Sequence, residues 1–583
     1  MASNFDARLH DLIAAIYPQA DRAEMAARIV AAFWPEDRPR RRHARRPSND
    51  FWAERDALLI TYGNSIVDGV HKPLDLLRDF LHRNLRGTVD GVHILPFFPF
   101  TSDDGFAVTD YRAVNPSLGD WSDIRRIGAE FKLMSDLVLN HVSSQGPWFT
   151  AYLQGHAPFD RFFMEADPAD DLSGVVRPRT HPLLRRVETA EGPAHVWCTF
   201  SHDQVDLDFR NPEVLLEFLA IMRLHIDNGV RILRLDAVAF LWKVIGTPCI
   251  HLPETHAIVR LMRLLCDYAV EPVILVTETN VPKAENLSYF GNGNEAHVVY
   301  NFSLPPLLLH ALQSGTARYL IRWQQGMPPA QMGCAYLNFS ASHDGIGMRP
   351  AEGILPPEEA ARMIDCVRGQ GGLVSMRTAP DGSETPYELN VTWFDALGAT
   401  CDGRADHHMA RFLCSQTIVM ALEGIPAFYI HALLATGNDH AGVEKTGIAR
   451  AINRHRWDYP ELQARLDDPE SDQARALAGI HARMAVRGRQ PAFHPNATQF
   501  TLQLDDRVFG LWRQSLDRAQ SIFALHNVSH EPVEIAPSAI NLIDGEAWRD
   551  LLSGEAIAPA GAPLRLAPYQ CRWIANGAGA DRA

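Results

Sequence analysis

Runs of consecutive apolar residues recur along the chain at 57–62, 91–95, 132–139, 231–235, 273–277, 298–300, 335–339 and 427–430. Short apolar runs without polar alternation fit strands that are covered on both faces. Between most of them lie stretches with apolar positions at helical spacing, at 74–85, 123–130, 214–227 and 255–269. Eight buried strands alternating with helices predict an α/β fold, a (β/α)8 TIM barrel within residues 51–490. The gap between His141 and Asp206 is too long for a simple loop and predicts an inserted subdomain at about 142–208. Residues from about 345 to 415 read as a second set of long loops.

The flanks have other rhythms. Leu9, Leu12, Ile13, Ile16, Met25, Ile29, Val30 and Phe33 keep helical spacing, which predicts an N-terminal helical extension. Six arginines between Arg38 and Arg46 then form an arginine-rich linker, so that residues 1–50 precede the barrel. After residue 490 the runs FTLQL, VFGLWR, SIFALHNV, PVEI, INLI and YQCRWI are short, β-rich and separated by turn residues. They predict a C-terminal all-β sandwich domain over 491–583.

Composition narrows the function. The 583 residues are 46% hydrophobic and 21% charged, a folding composition. Lys and Arg total 55 against 70 Asp and Glu, for a net charge of −15. That balance opposes nucleic acid or an anionic membrane as partner, and it makes a solvated linker the better reading of the arginine run. A small anionic substrate stays open, because it needs only a few local cations. The eight cysteines show no metal-ligand spacing, and His407 and His408 have no third ligand near them in sequence. No metal is expected. No apolar run of membrane-spanning length and no secretory leader is visible, so a cytoplasmic protein is expected.

In a barrel, reactive groups sit where strands end. After successive strands come PFFPFTSDDGF, DLVLNHV, RILRLDAV, VTETN and LNFSASHDGIG. They bring Asp103, His141, Arg234, Asp236, Glu278, His343 and Asp344 to one end of the barrel. Glycoside transfer with retention needs a carboxylate nucleophile and a protonated carboxyl roughly 5–5.5 Å apart. Asp236 and Glu278 follow neighbouring strands. Arg234, two residues before Asp236, shares its strand face and would hold that carboxylate ionised. Glu278 follows an apolar run, where desolvation would favour its protonated form. Each residue alone has a structural reading, as a cap or a buried ion pair; the ordered set of strand ends outweighs it.

The set DLVLNH, GVRILRLDAV, VTETN and SASHD resembles the conserved regions of the α-amylase superfamily of glycoside hydrolases. QVDLDFRNP, at 204–212, is similar to the motif that closes that family's inserted B domain. The resemblance implies that Asp236 is the nucleophile, Glu278 the general acid/base and Asp344 the third acid gripping the sugar hydroxyls. It implies that His141, Arg234, His343, Asp103, Gln204 and the stacking ring of Phe106 hold the glucosyl unit, with Arg454 completing the pocket beside Asp103. Phe106 stands where many amylases have Tyr.

HDGIG, Phe106 and INRH at 452–455 resemble the sucrose phosphorylase subfamily. Those enzymes are retaining, use inorganic phosphate as co-substrate and need no cofactor. Asn280 stands where most members have His. Tyr387 and Glu388, in PYELN, stand where a Tyr–Gln pair is expected. ETNVP, ENLSYFG, RPRTHPLL and SASHDGIGMRP are similar to the glucosylglycerate phosphorylase branch. The expected partners are therefore a small α-glucoside and phosphate. Candidate cations for phosphate and glycerate are Lys243, Lys283, Arg349 and the arginines within 177–186. Lys283 departs from that branch, where His is expected. Glu388 opposes an anionic acceptor unless it is paired or turned away. Sucrose or glucosylglycerol phosphorolysis, α-glucosidase or transglucosidase action, and a non-catalytic binding subunit are the alternatives. The last would be expected to lack at least one of the three acids.

Overall fold

The computed structural model describes residues 4–35, 38–45, 51–378, 384–540, 542, 546–559 and 561–576. Arg46 of the arginine run, with Asn541 and Ile543 of INLI, lies outside the described residues.

Eight parallel strands close a barrel: β1 Leu58–Thr61, β2 Gly91–Ile94, β3 Lys132–Val138, β4 Val230–Asp236, β5 Ile274–Thr277, β6 Val298–Tyr300, β7 Ala335–Phe339 and β8 Ile425–Tyr429. Each coincides with one of the eight apolar runs. Neighbours follow chain order, and β8 returns to β1 with Leu58 opposite Ala427. All residues of β1, β2 and β5 to β8 are buried, which is why these runs show no alternation. The covering helices Pro212–Asp227 and Pro253–Tyr268 each begin on proline, whose missing N–H is harmless in a first turn. Among the described residues no helix is long and apolar enough to cross a membrane.

The N-terminal helices Asn4–Ile16 and Arg22–Phe33 do not stand apart from the barrel. Their buried stripe, Phe5, Leu9, Ile13, Ile16, Met25, Ile29 and Phe33, belongs to the same apolar core. Phe5 meets Tyr268 edge-on at 4.8 Å, and the Tyr17 hydroxyl donates to the Phe209 carbonyl at 2.9 Å. The arginine stretch that follows is tied down by its backbone: Arg41 N–H donates to Tyr268 O and Arg45 N–H to Asp267 O. It is a strap with exposed side chains at Arg40 and Arg41, not a free linker.

Two excursions leave the strand ends and overhang the barrel mouth. After β3 the chain forms the ladders His141–Ser143 with Gln204–Asp206 and Leu184–Thr189 with Gly192–Trp197. After β7 it forms a three-stranded antiparallel sheet in the order Ile346–Gly347, Glu384–Asn390, Leu373–Thr378. The stretch expected as long loops thus carries this sheet and the helix Pro357–Gly369, whose Met363, Ile364 and Val367 are buried. From Thr498 on, a six-stranded sheet and the ladder Val533–Ile535 with Leu564–Leu566 share an apolar cluster including Phe523, Leu525, Leu566 and Ile574. Arg513 of that sheet is buried and donates to Ala421 O and His494 O, joining it to the barrel.

Candidate active site

A cavity of about 600 Å³ opens at the carboxyl ends of the barrel strands. It is lined by Asp103 and Phe106 after β2, His141 after β3, Arg234 and Asp236 of β4, Glu278 and Asn280 after β5, and His343 and Asp344 after β7. Gln204 from the first excursion and Tyr387 from the second complete the wall. The register of the barrel accounts for much of this convergence: Val138 pairs with Asp236, and Leu235 with Thr277, so β3, β4 and β5 end at one level.

A chain of charge crosses the barrel beneath the cavity floor. His93 Nε2 lies 2.7 Å from Asp136 Oδ2, and Arg234 donates both to Asp136 and, at 2.7 Å, to Asp236 Oδ1. Asp136 is fully buried, yet His93 and Arg234 overcome the upward push of burial and hold its pKa down to about 2. Arg234 is therefore fixed from below before it meets Asp236. Its guanidinium also lies 5.7 Å from the ring centroids of both Phe106 and Tyr300.

Burial raises the carboxyl pKa of both Asp236 and Glu278, and Arg234 pulls both back. Only Asp236 receives the Arg234 hydrogen bond; Glu278 accepts from the Ala237 backbone N–H at 3.2 Å. Asp344 differs. Burial would raise it as well, but Arg450, with NH1 2.6 Å from Asp344 Oδ1, heads a set of cations that holds it well below the usual carboxylate range. His141 and His343 are buried, which lowers their pKa to about 4 and about 3, so both are neutral imidazoles at neutral pH. Gln204 Nε2 donates to Asp103 Oδ2 at 3.2 Å and stands 3.3 Å from His141 Nε2, linking these two.

Two expected residues lie behind the wall. Arg454 pairs at 2.6 Å with Asp104, not with Asp103, and its Nε donates to the His343 carbonyl. The reason is local: Asp103 and Asp104 both have positive φ, 54° and 47°, so the turn presents the second carboxylate to Arg454. Glu388 is 2% exposed and held by Arg450 through Nε and NH2, at 3.0 and 2.8 Å. It is paired, which removes the objection it raised to an anionic acceptor.

The candidate cations also separate. Lys243 is buried, 3.0 Å from Asp206 and donating to Asn140 and to the Phe240 carbonyl, and it does not line the cavity. Lys283 reaches the Gly326 carbonyl in a separate surface depression. Arg185 donates to the His202 carbonyl and Arg186 pairs with Glu188. Arg177, Arg179 and Arg349 do line the cavity. Among the described residues Arg177 and Arg179 meet no carboxylate at ion-pair distance; Arg179 packs against the rings of Phe200 and Tyr387 at 5.9 and 5.6 Å. Arg177 Nε and NH2 are buried without a hydrogen-bond partner, and burial lowers its pKa. Arg349 has Glu285 at 4.0 Å. Sequence reasoning missed Arg377 and Arg450, which also line the wall. Arg450 lies in the 3-10 segment Ala449–Asn453, four residues before Arg454, and that closeness to the INRH motif was the available signal.

A family model described as alpha amylase, catalytic domain, matches residues 67–339. A glucosylglycerate phosphorylase of Spirochaeta thermophila is 46% identical over 527 residues, 89% of this chain and 89% of its own. One from Escherichia coli is 40% identical over 526 residues, covering 90% and 92%. The crystal structure of sucrose 6F-phosphate phosphorylase from Thermoanaerobacter thermosaccharolyticum matches with a TM-score of 0.71 and 25% identity, over 83% of this chain and 96% of that one. The chain is an enzyme of the α-amylase superfamily and belongs to its sucrose phosphorylase subfamily, on the side of the glucosylglycerate phosphorylases.

Proposed function

We propose that this enzyme is a retaining glucosylglycerate phosphorylase, which moves the glucosyl unit of glucosylglycerate onto inorganic phosphate to give α-D-glucose 1-phosphate. In this reading residues 51–490 are the catalytic barrel, the excursion at about 142–208 supplies part of the acceptor wall, and 491–583 is an accessory β domain.

Asp236 attacks C1 of the glucosyl unit while Glu278 protonates the departing glycerate oxygen, so the glycosidic bond breaks as the β-glucosyl-enzyme forms. The Asp236–Glu278 pair enters this step with one proton. In this reading Glu278 carries that proton, since Arg234 touches Asp236 alone and a cation in contact favours the ionised form of the carboxyl it touches. Phosphate then replaces glycerate. One of its oxygens attacks C1, its proton passes to Glu278 and Asp236 leaves, which restores the starting state. Asp344 binds sugar hydroxyls as a carboxylate. Neutral His141 and His343, with Asp103, Gln204 and Arg234, hold the ring over Phe106.

The observation that carries the phosphorylase reading is that Arg177 and Arg179 line the cavity wall with no carboxylate at ion-pair distance among the described residues, and that Arg177 Nε and NH2 are buried without a hydrogen-bond partner. Phosphate and glycerate are both anions, and one cationic subsite serves each in turn. Glu388, locked onto Arg450, does not oppose either.

The test is incubation with glucosylglycerate, glucosylglycerol or sucrose, with and without phosphate, and then glucose 1-phosphate with glycerate, glycerol or fructose in the reverse direction. Glucose 1-phosphate formed only with phosphate, fastest from glucosylglycerate, is expected. Free glucose released at the same rate without phosphate overturns the phosphorylase reading. Preference for glycerol or fructose overturns the acceptor.

A further inference from the structure

We infer that Arg450 is a positioning residue for Asp344, and that Glu388, by occupying the other edge of the same guanidinium, keeps Arg450 from serving as an anion site in the cavity. This rests on the glycosyl-transfer reading above only in giving Asp344 a role as a carboxylate.

The geometry is that of a fork shared between two acids. Arg450 turns its Nε/NH2 edge to Glu388 in a bidentate pair and its NH1 to Asp344. All three side chains are enclosed, at 17%, 3% and 19% exposure for Arg450, Glu388 and Asp344. A planar guanidinium can satisfy both carboxylates at once, which an ammonium on a flexible stem cannot. The chain is built to bring Glu388 to this place. Gly347 pairs with Glu388 across the short antiparallel ladder. At Gly345, directly after Asp344, an added Cβ would fall 2.5 Å from Glu388 Cγ and 2.7 Å from the Leu389 carbonyl oxygen. The Glu388 stem therefore crosses the backbone next to Asp344 where only glycine leaves room.

Charge decides what Arg450 does. One cation between two carboxylates leaves the triad net negative, so an anion entering the cavity is not drawn to Arg450 although it lines the wall. Arg177 and Arg179 have no such carboxylates. At Asp344, Arg450 is the foremost of the permanent cations that offset burial, ahead of Arg454 and Arg234. Glu278 faces it from β5, Tyr387 from the excursion and Tyr429 from β8. Without Arg450 the burial of Asp344 beside Glu278 is poorly compensated.

The test uses the full chain in two forms, Glu388→Gln alone and Arg450→Gln with Glu388→Gln. The double variant removes the pair together and leaves no carboxylate at 388 buried alone. Donor kcat/KM, phosphate KM and thermal melting are followed as a function of pH. In the double variant we expect donor kcat/KM to fall by about tenfold or more and its acid limb to move up by about one pH unit or more, because Asp344 has lost its main cation. In Glu388→Gln alone the Asp344 contact survives, so the acid limb stays; the freed edge of Arg450 then lowers phosphate KM by about threefold or more. A double variant with the wild-type acid limb and donor kinetics, even if it melts earlier, overturns the positioning role. An unchanged phosphate KM in the single variant overturns the role of Glu388. If the double variant does not fold, Arg450→Lys takes its place; it keeps the charge but not the fork, so the acid limb stays, and wild-type donor kcat/KM there overturns the positioning role. A wild-type enzyme that forms no glucose 1-phosphate fails the phosphorylase reading separately, and the acid limb is then read on its hydrolysis.

Discussion

The ring of Phe106 lies parallel to the imidazole of His343, with centroids 5.0 Å apart and 5° between planes. The two come from β2 and β7, strands separated by β1 and β8 in the closed barrel, so the stack spans part of the mouth. An aromatic pair is worth about 0.5–1.5 kcal/mol beyond its buried area, and both rings line the cavity. Phe106→Ala is expected to raise donor KM by roughly tenfold, with a smaller loss in kcat, whereas Phe106→Tyr keeps the ring and stays within a few fold. Steady-state kinetics decide this; an unchanged KM in the alanine variant contradicts it.

Asp236→Asn removes the proposed nucleophile and leaves Arg234 its second partner, Asp136. Turnover is expected to fall by about 10⁴-fold or more, the scale on which covalent catalysis fails when its nucleophile is lost. The melting temperature should move by only a few degrees. A variant retaining a tenth of wild-type activity refutes the assignment.

The barrel was legible from the order of apolar runs because strands covered on both faces leave nothing for alternation to encode. The strand-end acids were legible for a related reason: each is attached to a run whose end fixes its position. Docking was not legible. Nothing in the spacing of Leu9, Ile13 and Phe33 says which surface their stripe covers, and the barrel helices that receive it are 180 to 260 residues away. The cations were hardest. A lysine such as Lys243 looks the same in sequence whether it faces a cavity or neutralises Asp206, and Arg450 lies just outside the motif that Arg454 anchors.

Glu278 has a raised pKa, chiefly from burial. A raised carboxyl keeps its proton to higher pH than an exposed one, and in the proposed mechanism donor cleavage needs that proton. Donor kcat/KM is therefore expected to decline as pH climbs through the raised pKa, giving an alkaline limb. Glu278→Gln should abolish that limb, with residual turnover of α-glucosyl fluoride, a donor whose leaving group needs no acid, flat across the same range. An alkaline limb that survives in this variant belongs to another group.

Arg177→Ala and Arg179→Ala are each expected to raise phosphate KM by about tenfold or more, the loss of one charge-assisted hydrogen bond being about 1.5–3 kcal/mol. Slow hydrolysis of α-glucosyl fluoride without phosphate should stay near wild type. Parallel loss of both activities places these arginines in the donor pocket instead.

Lys243→Met leaves Asp206 buried without its cation, a change that costs about 3–5 kcal/mol when a buried pair is broken. Denaturant titration is expected to show that loss, while phosphate KM in the folded fraction is unchanged. A raised phosphate KM at full stability assigns Lys243 to the anion site.

The wall and the floor of the cavity have separate origins in the chain. Arg234, Asp236 and Glu278 sit on or directly beyond barrel strands whose backbone ladders hold the whole fold together. Arg177, Arg179, Arg377 and Tyr387 sit on excursions that the barrel does not need in order to close. The residues that would choose the acceptor are thus mechanically separate from those that would break the bond. A swap of one excursion would therefore be expected to change which acceptor is taken while leaving bond cleavage at the strand ends as it was.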